Sequence, residues 1–218
     1  MKVAIVTGAS RGIGRETALK LAEEYAVIVN FLRNESAAHE TVAMIESNGG
    51  KAVAVQGDVS KYEDAQNVVN VATKLGNLEV LINNAGVYDV RPFTSMMPSE
   101  WERVVQVNLY GVMNMTHAAA TKMKKGIIVN VSSVIGLSPI PNAAAYCASK
   151  AAVIAFTKSV AAELFPQIKV LCVAPGPTDT DMLRKYHSSM FADPPEKVAN
   201  FIVHAANTAR HGECLQVP

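Results

Sequence analysis

The chain has 218 residues, half of them hydrophobic and 18% charged, with a formal net charge of +1. That length suits one domain with a large core, and the balanced charge, without any basic stretch, argues against a nucleic-acid partner. No apolar run approaches the ~20 residues of a membrane helix, and Met1-Lys2 leads straight into a strand, so neither a membrane anchor nor a signal peptide is expected.

Val3 to Val6 is a short apolar run suited to a strand buried on both faces. Thr7 to Gly14 is a glycine-rich turn with Gly8, Gly12 and Gly14 in the spacing G-x-x-x-G-x-G. From Ile13 the apolar spacing becomes helical, with Ile13, Thr17, Leu19, Leu21 and Ala22 inward and Arg15, Glu16, Lys20 and Glu23 outward. Strand, glycine turn and helix in that order read as a dinucleotide site. Glycines let the backbone approach the pyrophosphate, and the free N–H groups at the helix start hold its charge. The glycines alone are weak evidence; their placement carries the reading.

Ala26 to Phe31 reads as a second buried strand whose end faces the adenosine ribose. An NAD site usually places an acid there for the 2′-hydroxyl. Here the first acid, Glu35, comes too late, and Arg33 stands where it would attract a 2′-phosphate. Arg11, inside the turn, is a second candidate. NADP(H) is therefore favoured, with NAD(H) the alternative. A helix over 36–48 follows, capped by Ser36, then a strand at 52–56. A helix over 61–75 starts from Asp58 or Ser60 and stops at Gly76. The next strand, 78–82, leads into Asn83-Asn84-Ala85-Gly86. One long helix is predicted from Pro98 or Ser99 to Lys124, with Ser99 and Glu102 as a capping box. A strand at 127–131 ends in Ser132-Ser133, and an alanine-rich helix covers 143–165. The strand at 168–173 ends in Ala174-Pro175-Gly176-Pro177. An irregular stretch over 178–194, a helix over 195–209 and a short strand at 213–217 complete the chain.

This alternation predicts a single α/β domain over residues 1–218. Its core would be a doubly wound parallel sheet of about seven strands, with helices on both faces and right-handed crossovers. Ligands in such sheets lie beyond the C-terminal strand ends, where Gly8, Arg33, Asp58, Asn84, Ser133 and Pro175 all fall. Tyr146 and Lys150 stand at i and i+4, on one helical face. An ammonium beside a phenol lowers its pKa, so this tyrosine could exchange a proton with an alcohol or ketone oxygen. Ser133 could hold the same oxygen. Each of these placements is common in amphipathic helices and strand ends, so the trio is weak evidence by itself. The five histidines are scattered without metal-ligand spacing. The cysteines, Cys147, Cys172 and Cys214, are an odd number without C-x-x-C spacing and read as free thiols in a reducing cytosol. Neither a G-x-S-x-G elbow nor a Walker pattern is present.

Taken together, these residues resemble the short-chain dehydrogenase/reductase family. Thr7-Gly-Ala-Ser-Arg-Gly-Ile-Gly14 matches its cofactor turn, Asn83-Asn-Ala-Gly86 its motif after the fourth strand, and Pro175-Gly176 with Thr180 its nicotinamide loop. Asn108, Ser133, Tyr146 and Lys150 fall in the order and approximate spacing of its catalytic tetrad. The resemblance implies a Rossmann-like fold and an oxidoreductase interconverting a carbonyl and a secondary alcohol. It implies Tyr146 as acid/base and Lys150 as the group that lowers its pKa and binds the nicotinamide ribose. Ser133 would orient the substrate, and Asn108 would hold a water on a proton relay. Cofactor contacts would come from Gly8, Ser10, Arg11, Gly12, Ile13, Gly14, Arg33, Asp58, Val59, Asn84, Ala85, Gly86, Tyr146, Lys150, Pro175, Gly176 and Thr180, with no metal. Similar proteins are cytoplasmic homodimers or homotetramers acting on small molecules. The nearest subgroup in character is the 3-oxoacyl-[acyl-carrier-protein] reductases, with sugar dehydrogenases next. A catalytically weak nucleotide-binding protein is the other alternative. The segment after Thr180 is shorter than the family pattern, and the end of the chain lacks its glycine-rich tail.

Overall fold

The computed structural model describes all 218 residues. Seven strands form one parallel sheet in the order β3-β2-β1-β4-β5-β6-β7. They are β1 (Lys2–Val6), β2 (Ala26–Phe31), β3 (Lys51–Gln56), β4 (Asn77–Asn83), β5 (Gly126–Val131), β6 (Ile168–Ala174) and β7 (Cys214–Gln216). The helices are α1 (Gly12–Leu21), α2 (Glu35–Ser47), α3 (Tyr62–Leu75), α4 (Pro98–Val105), α5 (Gly111–Ala120), α6 (Ala144–Leu164), α7 (Asp181–Arg184) and α8 (Pro195–Thr208). This is the doubly wound, Rossmann-like architecture that the alternation predicts. No helix is long and apolar enough to cross a membrane.

The central strands are apolar at successive positions because both of their faces are covered. Ala4 and Val6 of β1 pack with Ala18 and Leu21 of α1 and with Val198 and Ile202 of α8. Val3 and Ile5 point the other way, into Val68 and Ala72 of α3 and Met115 and Ala119 of α5. Each fully buried Val, Ile or Leu in these two layers contributes roughly 1.5–3 kcal/mol. From β1 the chain builds outward to β2 and β3; from β4 it builds the other way to β7. The connections leaving the C-terminal ends of β1 and β4 therefore diverge, and a crevice opens between them.

A buried polar chain crosses this middle. Asn83 Nδ2 donates to Thr116 Oγ1 at 3.0 Å and to Asn130 Oδ1 at 2.8 Å. Asn130 Nδ2 in turn donates to Thr157 Oγ1 at 2.9 Å. One string of side chains thus ties β4 and β5 to α5 and α6. Cys172 and Cys214 are register partners on β6 and β7, and all three cysteines are free thiols.

Several local expectations are corrected. The long helix predicted from residue 98 to Lys124 is broken by a π turn at Gln106–Tyr110 and ends at Ala120. Its start is held by Glu100, which accepts from the Met97 N–H at 2.9 Å, not by Ser99 and Glu102. Asn34, not Ser36, caps α2 by accepting from the Ala37 N–H. Asp58 and Ser60 bond to each other instead of capping α3. The irregular stretch 178–194 contains α7 and is pinched at its base by a bridge between Thr178 and Asp193.

Replacing Asn130 by Ala takes one partner each from the Asn83 amide, which keeps Thr116, and the Thr157 hydroxyl, which keeps the Val153 carbonyl, and opens a cavity in a dry interior. Urea unfolding should show a loss of about 2–4 kcal/mol. A loss below about 0.5 kcal/mol would mean the chain contributes nothing to stability.

Candidate active site

The glycine turn is shaped by contacts that forbid side chains. Gly8 has φ +64°, open to glycine at little cost. A Cβ on Gly14 would lie 2.4 Å from the Gly8 carbonyl oxygen, so the first turn of α1 packs directly on the turn before it. Thr7 then ties this turn to the end of β4. Its hydroxyl accepts from the N–H groups of Asn84 and Ala85, both at 3.0 Å, and donates to the Ile82 carbonyl. Asn84 returns the tie, donating its amide to the Thr7 and Gly8 carbonyls at 2.9 and 3.3 Å. Arg15, expected to point outward, folds back instead. Its guanidinium donates to the Ser10 carbonyl at 2.7 Å and to the Thr41 hydroxyl at 3.1 Å, which fixes the turn from outside.

A cavity of about 1130 Å³ runs along the C-terminal edge of the sheet. Ser10, Arg11, Gly12, Ile13, Arg33, Asp58 and Val59 line one end; Ser133, Tyr146, Lys150 and Tyr88 line the other, with Asn84, Ala85, Gly86, Pro175, Gly176 and Thr180 also on its wall. Two expected site residues stand behind that wall. Gly14 is in the packing just described. Asn108, fully buried in the π turn, donates its amide to the Val87 carbonyl at 2.9 Å and to Ser149 Oγ at 3.1 Å, while its Oδ1 accepts from the Val87 N–H at 2.8 Å. The Asn108 side chain is thus committed to the Val87 backbone and the Ser149 hydroxyl.

The two basic candidates differ. Arg33 is exposed at the cavity rim and pairs with no carboxylate. Arg11 lies 3.2 Å from Asp181 at the start of α7, in an exposed ion pair of the kind that contributes little to stability. Thr180 caps α7, its hydroxyl accepting from the Leu183 N–H. Asp58 accepts from the Ser60 N–H at 3.0 Å and hydroxyl at 2.7 Å.

At the other end, Lys150 is buried on α6 beneath Tyr146, with Nζ 5.6 Å from the ring centroid. It donates to the Val131 carbonyl at 2.8 Å. Burial pulls its pKa down to about 8. The Tyr146 phenol is pushed well above its usual range by burial, with the Ser133 hydroxyl beside it acting the other way. Nζ is turned to that carbonyl, and burial is the largest influence on the phenol.

Residues 2–190 match the family model described as short chain dehydrogenase. The chain belongs to the short-chain dehydrogenase/reductase family. It is an oxidoreductase, and comparisons agree across most of its length. A 3-oxoacyl-[acyl-carrier-protein] reductase of Synechocystis is 42% identical over 187 residues, 83% of this chain and 76% of the relative. One from Staphylococcus aureus matches to the same extent. A short-chain type dehydrogenase/reductase of Picea abies is 41% identical over 195 residues, again 83% of this chain and 72% of that protein. Among solved structures, a dehydrogenase/reductase from Sinorhizobium meliloti superposes with a TM-score of 0.92 at 31% identity, covering 99% of this chain and 93% of that one.

In this short-chain dehydrogenase, Thr7, Arg15 and Tyr88 build the site in ways that residue type does not announce. Thr7 lies inside the glycine turn, but threonine after a buried strand has no spacing signal. Replacing it by Val keeps the shape and strands the Asn84 and Ala85 N–H groups, so stability should drop about 1–3 kcal/mol in chemical denaturation. Thr7→Ser should recover most of that loss; a Ser variant as weak as Val would assign the effect to packing.

Proposed function

We propose that this oxidoreductase reduces a 3-oxo group on an acyl chain to a secondary alcohol, with NADP(H) as cofactor and Tyr146 as acid/base. One observation carries the reading: a single cavity has an unpaired arginine and a glycine turn at one end and a phenol over a buried lysine at the other. The names of the 42% identical relatives support the 3-oxoacyl substrate. The apolar side chains of Ile135, Ile140, Leu183 and Met190 on the cavity wall suit an acyl chain better than a sugar.

The residues fit a nicotinamide dinucleotide. The first N–H groups of α1 have no partner within the helix and open toward the turn. A Cβ on Gly176 would meet nothing within 4 Å, leaving open room on the wall. No carboxylate stands at the end of β2 to repel a 2′-phosphate, and Arg33 is free to pair with one. When bound, a reduced nicotinamide supplies the hydride. The protein supplies the rest. Ser133 donates a hydrogen bond to the substrate carbonyl oxygen and sets its direction. Tyr146, kept protonated by burial, gives its proton to that oxygen as negative charge grows there. Lys150 places positive charge beneath the phenol and stabilises the phenolate left behind. Asn108 holds the Val87 backbone, and with it the strip of main chain on which Gly86 and Tyr88 lie.

Two further readings accompany this one. We place copies of the chain against one another through α5 and α6, as a dimer or tetramer; Tyr110 and Met113, exposed on the π turn and α5, support it. Three free thiols and no membrane-length apolar helix suit a cytoplasmic location.

Tyr146→Phe should leave NADPH binding intact, read by fluorescence titration, while turnover of a 3-oxoacyl thioester falls ~10²–10⁴-fold. Retained turnover would remove Tyr146 from the chemistry. Wild-type reduction should also decline as pH rises through about 8, because Lys150 loses its proton there and with it the charge that stabilises the phenolate. A rate that climbs across that range would contradict the assignment. Arg33→Asp should reverse the preference from NADPH to NADH in kcat/KM; an unchanged ratio shifts the phosphate contact to Arg11.

A further inference from the structure

Arg184 pairs with Asp179 and Thr180 caps α7 within the 178–193 segment; only two side-chain hydrogen bonds tie residues 181–192 to parts of the molecule outside it. One is the exposed Arg11–Asp181 pair. The other is partly buried: the Tyr88 hydroxyl lies 3.2 Å from His187 Nε2, bridging positions 99 apart in sequence. Tyr88 belongs to the clamped strip after β4. Its ring stands edge-on to Tyr146, with centroids 4.7 Å apart and planes at 71°. Another edge-on contact, at 5.4 Å, reaches Tyr186 of the segment itself. Burial raises the Tyr88 pKa, so the phenol keeps its proton for this contact.

We propose that Tyr88 and His187 form a latch that seats the 181–192 segment over the Tyr146 end of the cavity, making Tyr88 a positioning residue for the substrate. The reasoning is one of preorganisation. The base of the segment is fixed by the Thr178–Asp193 bridge and by the Asp179 N–H donating to the Asp193 carbonyl at 2.8 Å. Beyond that base it carries few buried side chains; Met190 and Phe191 are exposed. An unlatched segment would have to be ordered by each incoming substrate, at the expense of affinity. A latched one presents Met190 and Leu183 as a ready wall beside Tyr146. The Tyr88 side of the latch does not move, because Asn108 holds the preceding residue at both its N–H and carbonyl.

The substrate consequence rests on Tyr146 being the acid/base, so the test has a readout that does not. Hydrogen exchange of residues 181–190 should quicken roughly three- to tenfold in Tyr88→Phe and in His187→Ala. The double variant should be no faster than either single one, because both remove the same bond. With NADPH and acetoacetyl-coenzyme A as probe, KM for the thioester should rise by a similar factor in Tyr88→Phe while kcat and NADPH affinity hold. Unchanged exchange in either single variant, or additive effects in the double, overturns the latch. Quicker exchange with KM unmoved overturns the positioning role. Quicker exchange in a protein whose wild type reduces no keto substrate leaves the latch standing and sinks the acid/base reading instead.

Discussion

The site depends on one hydroxyl. At the C-terminal ends of β1 and β4 the parallel ladder runs out, and the N–H groups of Asn84 and Ala85 lose the strand carbonyls that would have accepted them. Thr7 accepts from both and still donates to Ile82. The side-chain amide of Asn84 closes the loop on the Thr7 and Gly8 carbonyls. An unpaired buried N–H costs about 1–3 kcal/mol, so this exchange is what allows two neighbouring strands to part without leaving orphan groups. Their parting creates the crevice, and the glycine turn is held at its rim by the same bonds.

At the far end of the crevice, electrostatics run against the simplest account of the chemistry. Burial alone would keep Tyr146 protonated and draws Lys150 down to about 8. The protein therefore prefers the neutral phenol and only weakly retains the ammonium. The phenol carries its proton, and burial makes it a weaker acid than a phenol in water. The Val131 carbonyl holds the Lys150 ammonium, and the Ser132 hydroxyl donates to the Lys150 main-chain carbonyl.

Period and punctuation made the strands and most helices legible. Runs such as Val3–Val6 and Ala26–Phe31 are apolar at every position because both faces are covered, and glycines mark where strands become helices. The residues facing the cavity were legible for a related reason, since an open parallel sheet gathers its strand ends on one edge. The capping assignments failed because Ser36 is as plausible by type as Asn34, and Ser99 with Glu102 is more plausible than Met97 with Glu100. The choice falls on backbone geometry, which no side chain announces. Arg15 failed by the same route: a charged residue on a helix reads as solvated until the turn it embraces is seen. For Tyr146 and Lys150, i,i+4 spacing gives proximity but says nothing about where Nζ points or how much water surrounds it.

The π turn at Gln106–Tyr110 was the least legible feature, and it joins the two halves of the site. An extra residue in a helix leaves the apolar period nearly intact, so the sequence reads through it. In space it turns Asn108 inward to full burial, where its amide holds the Val87 backbone from both sides. π turns recur at functional sites because they aim one side chain away from the regular helical face. Here the strip from Asn84 to Tyr88 is anchored by Thr7 at its beginning and by Asn108 just before its end. A short strip held at both ends moves as a unit. Its first residues brace the glycine turn, and its last presents an aromatic edge to Tyr146 and a hydroxyl to His187.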